Sequence, residues 1–108
     1  MDIEQLRAYC LAKPGAEESF PFGEETLVFK VHNKIFLLTG LNSQPLQFNA
    51  KCDPEYAIEL RERYSCVQPG YHMNKKHWNT IVIDGSLSSK QLQELIDHSY
   101  NLVARIKK

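Results

Sequence analysis

Apolar and polar residues alternate along residues 44–52, which read QPLQFNAKC. Alternation with a period of two places the apolar side chains on one face of a strand. The segment therefore predicts a strand with one face on the core and the other toward water or a ligand. Two further strands are predicted nearer the C-terminus, at residues 66–71, where Pro69-Gly70 interrupts the run, and at residues 78–84.

A tight hairpin is predicted before the alternating strand. Residues 27–31 and 34–39 are rich in β-branched and aromatic residues, so each segment predicts a strand. Only His32 and Asn33 lie between them, and asparagine tolerates the positive φ that a two-residue turn requires. The preceding segment, EESFPFGEE, contains a proline and a glycine and is predicted to be a loop.

Three helices are predicted from capping residues and from the spacing of apolar positions. The first begins after Asp2, with a glutamine three residues on that completes a capping box. The second begins at Asp53-Pro54, since aspartate is a favourable cap and proline fits the first turn. The third begins after Ser88 with a second capping box, and its apolar residues recur on one face as far as Ile106.

The predicted order of elements is α-β-β-β-α-β-β-α, within a single domain of residues 1–108. Strands joined by short turns favour an antiparallel sheet, and the helices are expected to pack on one of its faces. The predicted fold class is therefore α+β with two layers. No repeat, low-complexity segment or linker divides the sequence.

Composition and charge restrict the classes of function. The chain is 43% hydrophobic and 24% charged, which suits one compact domain. No apolar run approaches the length that spans a bilayer, roughly 20 residues, and the N-terminus lacks a signal-peptide pattern, so a cytoplasmic protein is expected. Three cysteines without C-x-x-C spacing favour buried thiols over a disulfide framework. The net charge is zero, unlike that of most dedicated nucleic-acid-binding proteins.

The densest group of chemically versatile side chains lies in residues 69–80, which read PGYHMNKKHWNT. Two lysines, two histidines, a tyrosine and the only tryptophan of the chain fall between a turn and a strand. Cations beside aromatic rings suit an anionic partner with stackable bases. Structural alternatives stay open. Trp78 is expected to pack in the core, and Asn74 is more typical of a residue that stabilises the backbone of a turn. For the two histidines, stabilising the turn and contacting DNA are equally good interpretations.

The spacing of histidines and cysteines supports a zinc site or a catalytic centre less well than the same stretch supports a nucleic-acid-binding surface. His72 and His77 have a finger-like separation, but no closely spaced cysteine pair accompanies them. The sequence contains neither a glycine-rich phosphate loop nor a G-x-S-x-G motif. No cofactor, metal or catalytic residue is therefore expected. An enzyme would need a deep pocket lined by glutamate, histidine and cysteine.

The stretch PGYHMNKKHWNT resembles the MmcQ/YjbR family of small bacterial proteins, which have a near-identical PGYHMNKxHWNT stretch. The resemblance extends over nearly the whole chain through PGAEESFPFG, KCDPEYA and SYNLV. It implies a CyaY-like, double-wing fold and a DNA-binding role in which strand-borne wings approach the duplex, with no catalytic residue set to carry over. The family pattern has leucine-proline before its C-terminal lysines, whereas Arg105-Ile106 stands here, so the tail departs from it.

The expected DNA-contacting surface combines lysines with the polar and aromatic residues beside them. Its candidate residues are Lys30, Lys34, Lys51, Tyr71, His72, Asn74, Lys75, Lys76 and His77. A net charge of zero is compatible with such a surface if positive and negative side chains are concentrated in different places, and residues 17–25 do contain four glutamates. A monomer or weak dimer without membrane contact is expected.

The main alternative is a protein-interaction domain with no nucleic-acid role. The predicted layout also resembles that of type III secretion chaperones, which bind partners through the sheet or dimerise. Such a role requires an exposed apolar patch, for which Phe20, Phe22 and Phe36 are candidates. The sequence favours the opposite placement for Phe20 and Phe22, which are expected to fold back onto the core.

Overall fold

The computed structural model describes residues 1–70 and 73–105 as one sheet covered by helices. Its elements are α1 Ile3–Leu11, β1 Glu17–Ser19, β2 Thr26–Val31, β3 Lys34–Gly40, β4 Gln47–Lys51, α2 Pro54–Arg63, β5 Val67–Pro69, β6 Trp78–Val82 and α3 Ser89–Ala104. The strands are antiparallel in the order β1-β2-β3-β4-β6-β5. The predicted fold class and order of elements are confirmed, with β1 as an additional strand. Its three residues include two glutamates and show no alternation, so nothing in them marks a strand.

The two sides of the sheet differ in burial. One row of paired, buried residues crosses five strands: Leu27, Thr39, Phe48, Ile81 and Val67. The neighbouring row points to the other side, which we call the open face: Val28, Leu38, Asn49, Thr80 and Gln68. On this side Val28 and Thr80 are also buried, whereas Leu38, Asn49 and Gln68 are partly or fully exposed. The alternation of β4 into a core side and a second, polar side is confirmed.

The three described helices pack on the buried side of the sheet. Arg7 of α1 forms an ion pair with Glu18, and Arg61 of α2 bonds Asn79. Both partners lie on the buried side of their strands. The helix α3 adds a buried stripe of six residues: Leu92, Leu95, Ile96, Ser99, Tyr100 and Val103. None of the helices within residues 1–70 and 73–105 has the length and apolar character needed to cross a membrane.

A β-bulge lets two consecutive residues of β3 enter the core. Phe29 is opposite Leu37, but Lys30 is opposite Ile35, so Phe36 is an extra residue on β3. Phe36 and Leu37 are both fully buried members of the one core cluster, and strict alternation would send two consecutive side chains to opposite faces. The Phe36 ring packs edge-on against a tyrosine of α3, with 5.3 Å between ring centroids. Phe36 therefore does not belong to an exposed apolar patch.

The buried hydroxyl of Ser99 continues the hydrogen bonding where the β3–β4 ladder stops. The last pair of that ladder is Leu37 with Ala50. Beyond this pair, Ser99 Oγ donates to the carbonyl of Phe36 and accepts from the backbone N–H of Lys51 at 2.8 Å. One side chain of α3 therefore fixes the backbone of both central strands next to Lys51.

The predicted caps and the predicted hairpin are confirmed. Capping boxes form at Asp2 and at Ser88, and Asp53 caps α2 with proline in the first turn. His32 and Asn33 have φ angles of 52° and 64°, which is the backbone that a two-residue hairpin turn requires.

The prediction that Phe20 and Phe22 fold back onto the core is wrong. Their side chains are 49% and 65% exposed. Two consecutive turns explain the difference, since Gly23 N–H donates to the carbonyl of Phe20 and Thr26 N–H donates to the carbonyl of Gly23. These turns reverse the chain within the β1–β2 loop itself, so the rings are held away from the core.

All three cysteines are buried free thiols, as their spacing predicts. Burial raises the pKa of Cys10 to about 12 and the pKa of Cys52 to about 11. Both thiols are therefore protonated at neutral pH and are poor nucleophiles.

The pH dependence of stability is expected to report on His98. Its Nε2 accepts from the backbone N–H of Asp53 at 3.2 Å, and its ring packs edge-on against Tyr56. Burial lowers the pKa of His98 below the ordinary 6.5, against an opposing effect of the Asp53 charge. The unfolded chain therefore binds this proton first, so the free energy of unfolding should decrease as the pH falls below 6.5.

The variant His98→Gln keeps a hydrogen-bond acceptor but does not titrate. Urea unfolding between about pH 7.5 and pH 5 should show a shallower loss of stability for the variant than for the wild type. The remaining histidines are common to both proteins, so the difference isolates His98. Parallel pH profiles would contradict this assignment.

Candidate nucleic-acid interface

The antiparallel topology gathers the predicted lysines at one end of the sheet. The β2–β3 hairpin, the end of β4 and the start of β6 all lie there, because neighbouring strands run in opposite directions. We call this the basic end, and its candidate lysines are Lys30, Lys34, Lys51, Lys75 and Lys76. Since β3 separates the strands of Lys30 and Lys51, their backbones are roughly 10 Å apart at the usual strand spacing.

The lysines of the basic end do not share one face. Lys30 and Lys51 lie on the open face. Lys34 is opposite the buried Val31, so by register it belongs to the side that carries the helices, although its own side chain is exposed. The predicted lysines are therefore brought to one end of the sheet, but Lys34 does not share the face of Lys30 and Lys51.

Trp78 lies on the open face, directly opposite Lys51. The expectation that Trp78 packs in the core is wrong, because the residue is partly exposed and lies outside the buried cluster. Register is the physical reason: Asn79 and Ile81 occupy the buried side of β6, so Trp78 must face the other way. The Cβ atoms of such a cross-strand pair are about 5 Å apart, so an ammonium-bearing side chain and an indole ring are neighbours.

A short turn brings the remaining candidates next to this pair. Asn74 Oδ1 accepts from the N–H of Lys76 at 2.9 Å, and the Asn74 carbonyl accepts from the N–H of His77 at 3.1 Å. The Asn74 side chain therefore stabilises the turn, in line with the structural alternative. Lys75 and Lys76 are exposed, and His77 is partly exposed. Two of the candidates, Tyr71 and His72, lie outside the residues that the structure describes.

Arg61 of α2 holds the turn against the sheet, and no sequence motif marks it as a site residue. Its guanidinium donates to Asn79 Oδ1 at 2.6 Å and to the carbonyls of Lys75 and Trp78. Asn79 is only 1% exposed, so it does not reach a ligand but serves as a buried acceptor. These partners follow Arg61 by 14 to 18 residues, beyond the reach of any local sequence signal.

The other end of the sheet is acidic. Glu24 and Glu25 precede β2 there, and Asp84 follows β6. The basic end also contains carboxylates, since Glu17 is opposite Lys30 and Asp53 follows β4 closely. Charge is therefore separated along the strands, which gives a neutral chain a local positive field at one end.

Of the side chains that the enzyme alternative requires, the described lining of the cleft between α2 and α3 contains glutamate, whereas Cys52 and His98 line a separate cavity of about 10 Å³. The cleft has a volume of about 150 Å³. Its described lining combines Arg63, Glu94, a glutamine and two tyrosines with leucines, and contains neither histidine nor cysteine. In residues 1–70 and 73–105, no group of three or more His, Cys, Asp or Glu side chains is placed to hold a metal ion.

Comparison with known proteins identifies relatives over nearly the whole chain. The YjbR family model matches residues 11–102. The Escherichia coli K12 protein YjbR is 39% identical over 100 residues, which cover 93% of this chain and 85% of that protein. The protein YbdF of E. coli O157:H7 is 40% identical over 101 residues, which cover 93% of this chain and 82% of that protein. The names of these relatives assign no activity.

Solved structures agree with the fold described above. The crystal structure of Deinococcus radiodurans protein DR2400 superposes with a TM-score of 0.90 at 41% identity, covering 98% of this chain and 82% of that one. A Pseudomonas syringae protein superposes with a TM-score of 0.80 at 27% identity, covering 95% of this chain and 99% of that one.

Replacing Arg61 is expected to weaken both the fold and the turn. In Arg61→Met the aliphatic stem remains, but Asn79 Oδ1 loses its donor while staying buried. A buried group without its partner costs about 1–3 kcal/mol, so the free energy of unfolding in urea should fall by that amount. Amide exchange of the turn at residues 74–77 should also accelerate, because the contact with the Lys75 carbonyl inside the turn and that with the Trp78 carbonyl just after it are lost.

The matched control is Arg63→Met, two residues further along the same helix and exposed. Its stability should stay within about 0.5 kcal/mol of the wild type. Equal effects of the two substitutions would show that Arg61 acts only as a helix residue.

Proposed function

The chain belongs to the YjbR family, and we propose that it is a non-enzymatic DNA-binding protein that binds at the basic end of its sheet. The observation that supports this most directly is the Lys51–Trp78 pair on the open face. DNA offers phosphates to the cation and bases to the ring. The turn with Lys75 and Lys76 lies beside the pair and adds positive charge.

The open face favours single-stranded DNA over duplex. The bases of a duplex are stacked on one another, so a side chain on a flat sheet does not reach their faces, whereas an unpaired base stacks directly on Trp78. Polar side chains continue across the same face. Thr80 Oγ1 donates to Asn49 Oδ1 at 2.5 Å, so the amide N–H groups of Asn49 stay available to donate to a base edge.

The neutral net charge is compatible with this role because the two ends of the sheet differ in sign. Electrostatic attraction to a polyanion depends on the local field, and the lysines of the basic end are separated along the strands from Glu24, Glu25 and Asp84. Glu17 and Asp53 reduce the positive field without cancelling it. We expect modest affinity with a strong dependence on salt.

A cytoplasmic location is part of the same proposal. It is supported by the three buried free thiols, which suit a reducing compartment. A second candidate function, protein binding, is favoured by the exposed Phe20 and Phe22. Those residues lie in the loop before β2, away from the basic end, so the two functions do not compete for one surface.

Removing charge from the turn is expected to change the salt dependence of DNA binding. For Lys75→Gln/Lys76→Gln, the slope of log affinity against log salt should be shallower by about 1 to 2, because up to two phosphate contacts are lost. The measurement is fluorescence anisotropy of a labelled oligonucleotide across a salt series. The control is Lys90→Gln, an exposed lysine in the first turn of α3, whose slope should match that of the wild type.

Two results would remove the DNA-binding proposal. One is an absence of binding at low salt, where electrostatic attraction is strongest. The other is a salt slope that Lys90→Gln reduces as much as the double substitution does, since the surface would then have no defined place on the molecule.

Replacing the tryptophan tests the preference for a single strand. Trp78→Leu keeps an apolar side chain on the open face but removes the large aromatic surface. Single-strand affinity should fall about tenfold, because stacking contributes about 1–3 kcal/mol per base. Duplex affinity should change little, which makes the duplex an internal control. A loss of equal size for both forms would show that Trp78 acts by shaping the surface and not by stacking.

A further inference from the structure

The loop between β1 and β2 exposes two aromatic rings, and hydrogen-bonded turns order its backbone. Phe20 and Phe22 are 49% and 65% exposed. Hydrogen bonds from Gly23 N–H to the Phe20 carbonyl and from Thr26 N–H to the Gly23 carbonyl, both 3.3 Å, form the two turns of the loop. Large apolar side chains kept in water by an ordered loop are typical of a contact surface.

The strand that leads into this loop is an edge of the sheet. The strand β1 pairs with β2 on one side and is last in the strand order of the described sheet. Its outer backbone groups therefore remain available to a further strand. Ser19 Oγ, in the same strand, is buried without a hydrogen-bond partner among the described residues. A segment docked along β1 would pair with these outer backbone groups, whereas the Ser19 side chain projects from the face of the sheet and takes no part in that pairing.

The charge of the segment specifies the kind of partner. Residues 17–25 contain four glutamates and no lysine or arginine. Glu18 is paired with Arg7, and Glu25 accepts from Asn42 at 2.7 Å. Glu17 and Glu24 are exposed and lie on either side of the two rings in the sequence. A partner with lysine or arginine beside apolar side chains is therefore complementary to this surface.

A symmetric second copy fits this edge poorly. Antiparallel pairing of β1 with β1 of another copy centred on Glu18 would place this glutamate opposite itself. Like charges directly opposite one another destabilise a strand pair. Even with each Glu18 paired with its own Arg7, such a dimer would bring no opposite charge across the new strand pair, whereas a basic segment brings opposite charge to Glu17 and Glu24.

We propose that the outer edge of β1 together with the loop of residues 20–25 is a docking site for an extended basic segment of a partner protein, which adds to the sheet as a seventh strand beside β1. Its lysine or arginine side chains face Glu17 and Glu24, and its apolar side chains contact Phe20 and Phe22. Phe20, Phe22 and Glu24 of this site lie toward the opposite end of the sheet from the basic end, whereas Glu17 borders Lys30. The proposal does not depend on DNA binding.

The test uses a fluorescein-labelled peptide of about eight residues that alternates lysine and valine. Anisotropy should show binding to the wild-type chain, and affinity should fall about tenfold or more in Phe20→Ser/Phe22→Ser. The control variant is Ile58→Ser, which removes an apolar side chain that is 54% exposed on α2, and its affinity should equal that of the wild type. Bound peptide should also slow amide exchange in residues 17–19, which charge attraction alone would not do.

Three outcomes would overturn the proposal. The first is equal binding to the double phenylalanine variant, and the second is equal binding of a peptide that alternates glutamate and valine. The third is a self-association, seen by sedimentation, that the double variant abolishes while the lysine–valine peptide does not bind, since a second copy would then be the occupant. Folding of the variants is checked by their urea unfolding, which should match the wild type because the rings are exposed.

Discussion

The geometry of the basic end depends on the buried hydroxyl of Ser99. The ladder between the two central strands β3 and β4 ends at Leu37 and Ala50, next to the residue Phe36 that bulges from the β2–β3 ladder, and backbone groups left unpaired there would be costly in a dry core. Ser99 satisfies the Phe36 carbonyl and the Lys51 N–H at once. The helix α3, the bulge and the end of β4 are therefore fixed together, and Lys51 projects from the other side of that fixed backbone.

The second constraint is the register of β6. A slip of one residue would exchange the two faces of the strand, sending Trp78 into the core and Asn79 to the open face. The hydrogen bond from Arg61 to the buried Asn79 opposes such a slip, because it stabilises one register only. Arg61 also contacts the Lys75 and Trp78 carbonyls, so one buried polar contact sets both the face of Trp78 and the position of the turn.

Structural features that depend on residues close together in the sequence could be predicted from it, whereas features that depend on residues far apart in the sequence could not. The capping boxes at Asp2 and Ser88 and the His32–Asn33 turn depend on residues within a few positions, so their prediction is confirmed. The face of Trp78 depends on a neighbouring strand and on Arg61, and the exposure of Phe20 depends on turns in a loop without periodicity. For the same reason, sequence identified the lysines of the site but not the face that each one occupies.

Opposite charge at the two ends of the sheet raises the question of why copies would not simply join end to end. At physiological salt, attraction between exposed charges is screened beyond about 8 Å, so a few glutamates in a loop attract the basic end weakly. DNA differs because its phosphates are closely spaced and release condensed counterions on binding, a gain that a loop with four glutamates does not provide. The carboxylates of Glu17 and Asp53 beside the lysines weaken the attraction of another acidic loop further. A bipolar, neutral charge distribution is therefore compatible with the proposed binding of a polyanion at one end and does not by itself predict end-to-end association.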